Sequence, residues 1–267
     1  MKNTILTITI IITVLLPLIT LSAGESNEST RGLWSQGTAH LLPKGRIEVG
    51  LFQPLRYGWS ENLEFATHPL LNFLMPNLGA KWSHKPVAGF FISTRHSFYY
   101  PTPLLRVVSR EGIGGMISPE FNIPHMISLY NEILFSKQIT PNFLFTGKAG
   151  FAFALKSGNL DSRSTIDLPL IFPRLAIFYN GYGFRFGGDL KGKLFKRWFF
   201  LVDADLFYVP DENEGFAFEH KGLILWTKSA RFQITVGYKL SYAEYPFGTQ
   251  WHLLLPIFDF QWAWQLK

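Results

Sequence analysis

The chain has 267 residues, with 25 lysines and arginines against 19 acidic residues and no cysteine. This length allows one large domain or two small ones, and the lack of cysteine excludes disulfides, thiolate zinc sites, thiol nucleophiles and lipid attachment through an N-terminal cysteine. The basic residues are scattered through strand-like alternation without a basic helix or an RNA-binding motif, which argues against nucleic acid as a partner.

The N-terminus begins with a pattern typical of export. Lys2 precedes an apolar run that ends at Leu21 and is followed by small residues. This pattern predicts a cleaved secretory signal peptide over residues 1–23. An uncleaved membrane anchor is the alternative, because the run approaches membrane-spanning length. The polar residues 24–32 predict a flexible lead, which leaves 33–267 as one domain.

From Leu33 onward, segments with a period of two follow one another between turn residues. Apolar or aromatic side chains occupy one face of each segment and polar or charged side chains the other, which indicates strands with an oily and a wet face. The pattern predicts twelve strands, at 33–42, 46–58, 63–74, 78–83, 86–100, 126–138, 142–155, 174–194, 198–209, 216–228, 230–245 and 249–266.

The predicted connections fall into two classes that alternate along the chain. The short class comprises 60–62, 83–85, 139–141, 195–197 and 228–230. The longer class comprises 75–77, 101–125, 156–173, 210–215 and 246–248, and residues 43–45 must then be a tight turn on the same side as these. Such alternation is typical of transmembrane barrels and predicts both termini on the side of the short turns.

Two strand assignments carry particular weight. Asn180 and Gly181 look like a hairpin turn, and a turn there would divide 174–194 and give thirteen strands. The apolar phase continues across these residues and the loop alternation needs twelve, so one long strand is predicted. The aromatic strand 249–266 must then close the barrel against 33–42, because closure removes both sheet edges.

Charged residues on the wet faces are expected to meet in pairs inside the barrel. If residues flanking a three-residue turn oppose one another, Thr227 faces Arg231, Trp226 faces Phe232, Ile224 faces Ile234, Phe218 faces Leu240 and Glu219 faces Lys239. The same arithmetic opposes Phe135 to Phe145 and Glu132 to Lys148, and places Lys191 and Lys193 near Asp203 and Asp205. The predicted lumen-lining residues are Glu132, Lys148, Arg185, Lys191, Lys193, Asp203, Asp205, Glu219 and Lys239.

The sequence gives little indication of a catalytic site or a metal site. Asp203 and Asp205 share a face and could hold a cation or transfer protons, but the nearby lysines favour ion pairing. The seven histidines show no metal-ligand spacing, and His96 and Ser97 are strand neighbours that face opposite sides. We therefore expect no enzyme activity, no cofactor and no metal.

The signal segment, the alternating strands, the loop asymmetry and the aromatic terminal strand resemble Gram-negative outer-membrane β-barrel proteins from about Leu33 onward. Residues 93–97 and 245–252 look like segments of uncharacterised members of that class. The resemblance implies a monomeric barrel in outer-membrane lipid, a periplasmic lead at 24–32, and insertion by the barrel assembly machinery. The end of the chain departs from the usual aromatic assembly signal, since Leu266 and Lys267 follow the last aromatic residue.

Two functions follow from such a barrel. A polar path through the lumen predicts a narrow channel or transporter for small polar solutes. A fully paired lumen predicts instead a non-transporting structural or surface-binding barrel, since mixed charges can fill and stiffen a narrow interior. The loop 101–125 is expected to constrict or cap the mouth, because it is long yet rich in Leu, Val and Ile.

Overall fold

The computed structural model describes residues 32–164, 177–210, 215–245 and 248–266. Twelve antiparallel strands close into an up-and-down barrel in which each strand pairs with its neighbours in the chain and β12 pairs with β1. This confirms the predicted fold class and strand number. The strands are β1 (Arg46–Gly50), β2 (Leu55–Ser60), β3 (Leu63–Thr67), β4 (Asn77–Val87), β5 (Phe90–Tyr99), β6 (Met126–Thr140), β7 (Phe143–Lys156), β8 (Tyr182–Phe195), β9 (Trp198–Tyr208), β10 (Phe216–Ser229), β11 (Phe232–Tyr245) and β12 (Gly248–Gln265).

Among the described residues, three short helices lie between strands: α1 (Pro69–Asn72), α2 (Thr102–Val108) and α3 (Ile177–Asn180). A 3-10 turn covers Ser162–Ser164. Within the described residues, no helix combines the length and apolar character needed to cross a membrane. The predicted signal peptide at 1–23 lies outside the residues that the structure describes.

The alternation of each strand is inverted relative to a soluble protein. Along β6, the side chains of Tyr130, Glu132 and Leu134 are buried, whereas Leu129 and Ile133 on the opposite face are exposed. Exposed large apolar and aromatic side chains cover the exterior of the other long strands as well. The period of two therefore places charges inside and an oily surface outside.

The two ends of the barrel differ as predicted. Five two-residue turns lie at one end, the turn end, where β1 also begins and β12 also ends. Longer connections lie at the other, the loop end, at 51–54, 68–76, 100–125, 157–181 and 209–215. The alternation holds for these connections. The predicted longer connection 246–248 is instead the two residues 246–247, which lie outside the described residues.

The first strand is the largest correction. Residues 33–42 form no strand but lie inside the barrel, and the predicted strand 46–58 is two strands, β1 and β2. The chain leaves β12 after Leu51, whose N–H still donates to the Phe260 carbonyl at 3.1 Å, because the Asp259 carboxylate accepts the Phe52 N–H at 2.9 Å in place of a backbone partner. Residues 43–45 consequently lie at the turn end rather than forming an outer turn, and β12 closes against β1.

Two further boundaries were wrong for identifiable reasons. The predicted strand 63–74 stops at Thr67, because Pro69 starts helix α1, so the connection to β4 covers 68–76 rather than 75–77. Strand β4 runs on through the predicted turn 83–85 to Ala88 and Gly89, which turn the chain with φ angles of 50° and 78°. Positive φ at both positions suits a two-residue hairpin.

The predicted long strand 174–194 is also wrong in its first half. Helix α3 ends where the Gly181 N–H donates to the Ile177 carbonyl at 2.8 Å, and β8 begins at Tyr182. Gly181 adopts a φ of 82°, a conformation that suits glycine at a helix end. Asn180 and Gly181 therefore do interrupt the predicted strand. They lie at the end of a helix and not in a hairpin turn, so the number of strands remains twelve.

The predicted registers are displaced by two residues. Each hairpin closes with a two-residue turn and a local irregularity, so Trp226 opposes Ile234 rather than Phe232, and Thr227 opposes Gln233 rather than Arg231. The remaining predicted pairs move likewise, giving Ile224↔Val236, Phe218↔Tyr242, Glu219↔Ser241, Phe135↔Gly147 and Glu132↔Gly150. A shift of two keeps every side chain on its predicted face.

Candidate functional site

The inward faces of β1 to β4 carry a first set of ion pairs, the first ladder. Arg56 bridges neighbouring strands, with nitrogen atoms 2.8 Å from Glu64 Oε1 and 3.1 Å from Glu48 Oε2. Arg46 lies 2.8 Å from Glu48, and Lys81 lies 3.5 Å from Glu64. All five side chains are buried. Each charge therefore has an opposite charge beside it on the same wall, as burial requires.

A second ladder follows the inward faces of β5 to β10. Lys148 is its centre, with Nζ 2.7 Å from Asp189, 2.5 Å from Asp203 and 3.0 Å from Asp205. Arg185 lies 2.5 Å from Asp205 and 3.2 Å from Glu132. The remaining cations are Arg95, which pairs with Glu132, and Lys221, which lies 3.0 Å from Asp203.

Most of the predicted lumen-lining residues meet in this second ladder, but their partners differ from the prediction. Glu132 pairs with two arginines instead of opposing Lys148, and the aspartates pair with Lys148, Arg185 and Lys221 instead of Lys191 and Lys193. The Lys191 ammonium donates to the Trp34 carbonyl at 2.9 Å, and Lys193 is exposed near the turn end.

Glu219 and Lys239 do meet, as predicted, at 2.9 Å. They are diagonal rather than opposed, because Lys239 lies across from Lys221 and Glu219 from Ser241. Long side chains reach diagonal partners on one face of a sheet. The ion pair therefore forms despite the displaced register.

Residues 32–43, here called the plug, occupy the lumen and bond to the first ladder through the plug backbone. The Trp34 N–H donates to Glu48 and the Leu42 N–H to Glu64, each at 2.9 Å. Lys81 donates to the His40 carbonyl at 2.8 Å. These wall charges replace the strand partners that the plug lacks, since buried backbone groups need hydrogen bonds.

The opposite wall holds the plug as well. Besides the Lys191 bond to Trp34, the Ala39 N–H donates to Ser136 Oγ on β6 at 2.8 Å. On the first side, Arg56 donates to Ser35 Oγ at 2.9 Å. The plug therefore lies between two charged walls, and hydrogen bonds fasten it to both.

A separate apolar layer covers part of the loop end, here called the cap. Leu105 of α2 and Phe178 of α3 pack with inward side chains of β6 and β7. The loop 100–125 is held down by Thr102, whose hydroxyl donates to the Pro124 carbonyl and accepts from the Met126 N–H. The predicted capping role of this loop agrees with its position.

The sequence signal for the first ladder was present. Arg46, Glu48 and Arg56 share one parity within the predicted strand 46–58, and residues of one parity in a strand share a face, but the predicted lumen-lining set did not include them. Glu64 and Lys81 could not be added, because their pairing depends on the break between β1 and β2. The plug had no such signal, since its alternation imitates a strand.

Catalytic and metal groups do not converge in the described part of the chain. His96 lies on the exterior, where it bonds to Asn131, whereas Ser97 is buried on the inward face. No group of three or more potential metal ligands occurs among the described residues. Asp203 and Asp205 are held by cations. What the lumen offers is a plugged interior lined by paired charges.

No protein-family model matches the chain, and no curated protein matches its sequence. Among solved structures, a FadL homologue from Pseudomonas aeruginosa matches with a TM-score of 0.42 and 8% identity over 83% of this chain and 68% of the other. A bacterial polysaccharide outer membrane secretin matches with 0.42 and 8% over 83% and 70%. The outer membrane channel DcaP of Acinetobacter baumannii matches with 0.37 and 9% over 92% and 69%. Values of this size assign neither a family nor a ligand.

Proposed function

We propose that the protein is a channel of the Gram-negative outer membrane, closed in this structure by its plug and passing small polar solutes when the plug withdraws. Membrane insertion is supported by the inverted strands. A charge facing lipid at the midplane costs about 2–4 kcal/mol for Arg or Lys, and both ladders face inward. An oily exterior and long paired strands over most of the wall meet the requirement that backbone groups facing lipid are hydrogen-bonded.

The observation that best supports a gated channel is that the charges pair within each wall of the barrel. Each ladder is paired along its own wall, so neither ladder needs the plug to neutralise it. The plug contributes backbone and hydroxyl groups, whose hydrogen bonds water can replace at a net cost of about 1 kcal/mol each. Withdrawal would leave a hydrated passage with polar walls.

Water already reaches part of this passage. The side chains of Lys221, Lys239 and Glu219, in the loop-end halves of β10 and β11, are 31%, 17% and 16% exposed. The cap instead packs against β6 and β7. A solute that enters beside the cap would therefore meet the plug as the remaining obstruction.

The alternative is a non-transporting barrel whose closed lumen serves stability and whose loops bind a partner. The cap favours it, because Leu105 and Phe178 pack in a buried apolar layer across part of the loop end. A permanent plug and a removable plug differ in one measurable property, the passage of ions.

A reversible disulfide tests whether the plug is the gate. Because the chain has no cysteine, Ala39→Cys with Ser136→Cys introduces the single possible bridge at a site where the native groups touch. Reduced protein in planar bilayers should show discrete openings, and oxidation should abolish them. The matched control is Ser136→Cys alone, whose openings oxidation should leave unchanged.

Each other outcome has a distinct meaning. Openings that persist in the oxidised double variant would place the conducting path outside the plug. Silence of the wild-type, reduced and control proteins at all voltages, with the barrel folded, would favour the non-transporting alternative.

A further inference from the structure

The barrel wall is much shorter on one side than on the other. Strands β1, β2 and β3 have 5, 6 and 5 residues, whereas β12 has 18 and β4 has 11. Five residues at about 3.4 Å, tilted by roughly 40°, rise only about 13 Å. The apolar band of an outer-membrane barrel is about 25 Å tall. Three adjacent strands are therefore too short to close the wall across the membrane.

The register shows where the wall is open. β12 pairs with β1 only from Gln261 to Gln265, while its pairing with β11 continues up to Gly248. The loop-end part of β12, residues 248–258, thus has a strand neighbour on one side only among the described residues. Pro256 lies in this part, and proline is confined to edges and bulges of sheets because it has no N–H to donate.

The exposure of outward side chains on β12 changes at the same level. Trp251, Leu253 and Leu255 beside the gap are 62%, 60% and 67% exposed. Phe258, Phe260, Trp262 and Trp264, farther along the same face, are 46%, 37%, 42% and 50% exposed. Among the described residues, no strand covers the outward side chains above β1.

The gap has a defined lower edge and an apolar rim. Asp259 accepts the Phe52 N–H, which turns the chain away from β12, and the His68 ring bonds to the Phe52 carbonyl at 3.0 Å. Above β3 the wall continues only as residues 68–76, where Leu70 and Phe73 are exposed.

Polar inward groups lie directly behind this rim. His252 and Leu254 oppose Ser241 and Lys239, respectively, and opposed residues share a face. Because Lys239 pairs with Glu219 in the lumen, His252 and Leu254 also face the lumen. A molecule in the gap would touch membrane hydrocarbon on one side and, on the other, His252 together with the polar side chains of Ser241 and Lys239.

We infer that the gap above β1 to β3 is a lateral opening between lumen and membrane that admits a single-chain amphiphile, such as a fatty acid. An open sheet edge is tolerated at membrane depth only where it lines a cavity rather than lipid. The rim matches a hydrocarbon chain, and the groups behind it match a polar head. The inference adds to the proposed channel a second route, which leads sideways from the lumen into the membrane, and it rests on membrane insertion.

Photolabelling tests the opening on the wild-type chain. The protein is placed in phosphatidylcholine–phosphatidylglycerol vesicles with a fatty acid that carries a diazirine in its chain, irradiated, and mapped by mass spectrometry. Adducts are expected at inward-facing His252 and Leu254 at a yield comparable with outward Phe258. Inward-facing Ala263, on the same strand but beside β1, is the matched control and should stay unlabelled.

Competition identifies the ligand class. Excess unlabelled fatty acid should remove most adducts at Leu254 and leave those at outward Trp262 largely unchanged, since Trp262 contacts bulk lipid. Adducts confined to outward positions would overturn the lateral opening while leaving the channel intact. An absence of adducts from the whole exterior would instead contradict membrane insertion, on which both proposals rest.

Discussion

Lys148 shows how the lumen combines dense charge with stability at the scale of one residue. Its ammonium group contacts Asp189, Asp203 and Asp205, and its side chain is buried. Burial of a carboxylate is tolerated when a cation and hydrogen bonds offset the loss of water. One side chain therefore stabilises three acidic neighbours on two strands.

Lys148→Met is expected to lower the free energy of unfolding by about 3–5 kcal/mol, because removing one partner leaves uncompensated buried charge. Lys85→Met, at an exposed position of β4, is the matched control and should change it little. Denaturant unfolding in detergent micelles measures both. Equal stability of the two variants would show that the aspartates do not depend on Lys148.

Glu219 and Lys239 give a second prediction for single residues. Glu219→Ala should destabilise the barrel, and adding Lys239→Ala should recover part of the loss, with a coupling energy of about 0.5–3 kcal/mol. The physical reason is that the lysine left behind lies in a partly dehydrated interior. A double-mutant cycle measures the coupling, and strictly additive effects would mean that the diagonal contact contributes nothing.

Side-chain faces were predictable from the sequence, but partners were not. The period of two placed Glu132, Lys148 and Arg185 inside, and all three lie there. Partner identity depends on register, and the irregularities beside the two-residue turns displaced each hairpin by two residues. The local sequence pattern does not show where such irregularities occur. The prediction therefore paired Glu132 with Lys148, whereas the structure pairs it with Arg95 and Arg185.

At the scale of elements, the seam between β1 and β12 depends on a close approach. A side chain at Gly50 would start 2.2 Å from Asp259 Oδ2 and 2.7 Å from Gln53 Cβ. The same contact sets the lower edge of the lateral opening, because Asp259 captures the next free N–H of the chain. Gly50 is thus required where the barrel closes.

Gly50→Ala should destabilise the barrel by about 1–3 kcal/mol, the usual cost of forcing extra volume into a packed site. Gly188→Ala is the matched control, since a side chain there would begin 3.5 Å from Phe145, an ordinary contact. The midpoint of heat-modifiable migration on detergent gels reports both. A midpoint unchanged by Gly50→Ala would mean that the seam can move aside.

The long strands were the predictable elements and the beginning of the domain was not. β6 to β12 have strong aromatic alternation and short turns, and apart from the first half of 174–194 their predicted bounds are close to those observed. Residues 33–42 alternate as well, yet their backbone is satisfied by Glu48, Glu64 and Lys81. This plug differs from a strand only because charged side chains of the wall provide its hydrogen-bond partners. These side chains belong to other parts of the sequence.

At the scale of the whole molecule, three features occupy different parts of the barrel. The plug occupies the turn-end half of the lumen, the cap packs against β6 and β7 at the loop end, and the wall is short above β1 to β3. The predicted closure against 33–42 is replaced by closure against β1, which releases the N-terminal residues to enter the interior. The assignment of 33–42 as a strand therefore hid the plug, the proposed gate, from the sequence prediction.

Conductance across a planar lipid bilayer tests most directly whether residues 32–43 close the barrel. Deleting them removes several hydrogen bonds of about 1 kcal/mol each, enough to raise the open fraction by more than about tenfold. Deleting residues 110–115 from the exposed tip of the 100–125 loop is the control, and its conductance should match that of the full chain. A folded barrel that lacks 32–43 and conducts no more than the full chain would contradict the plug as the gate.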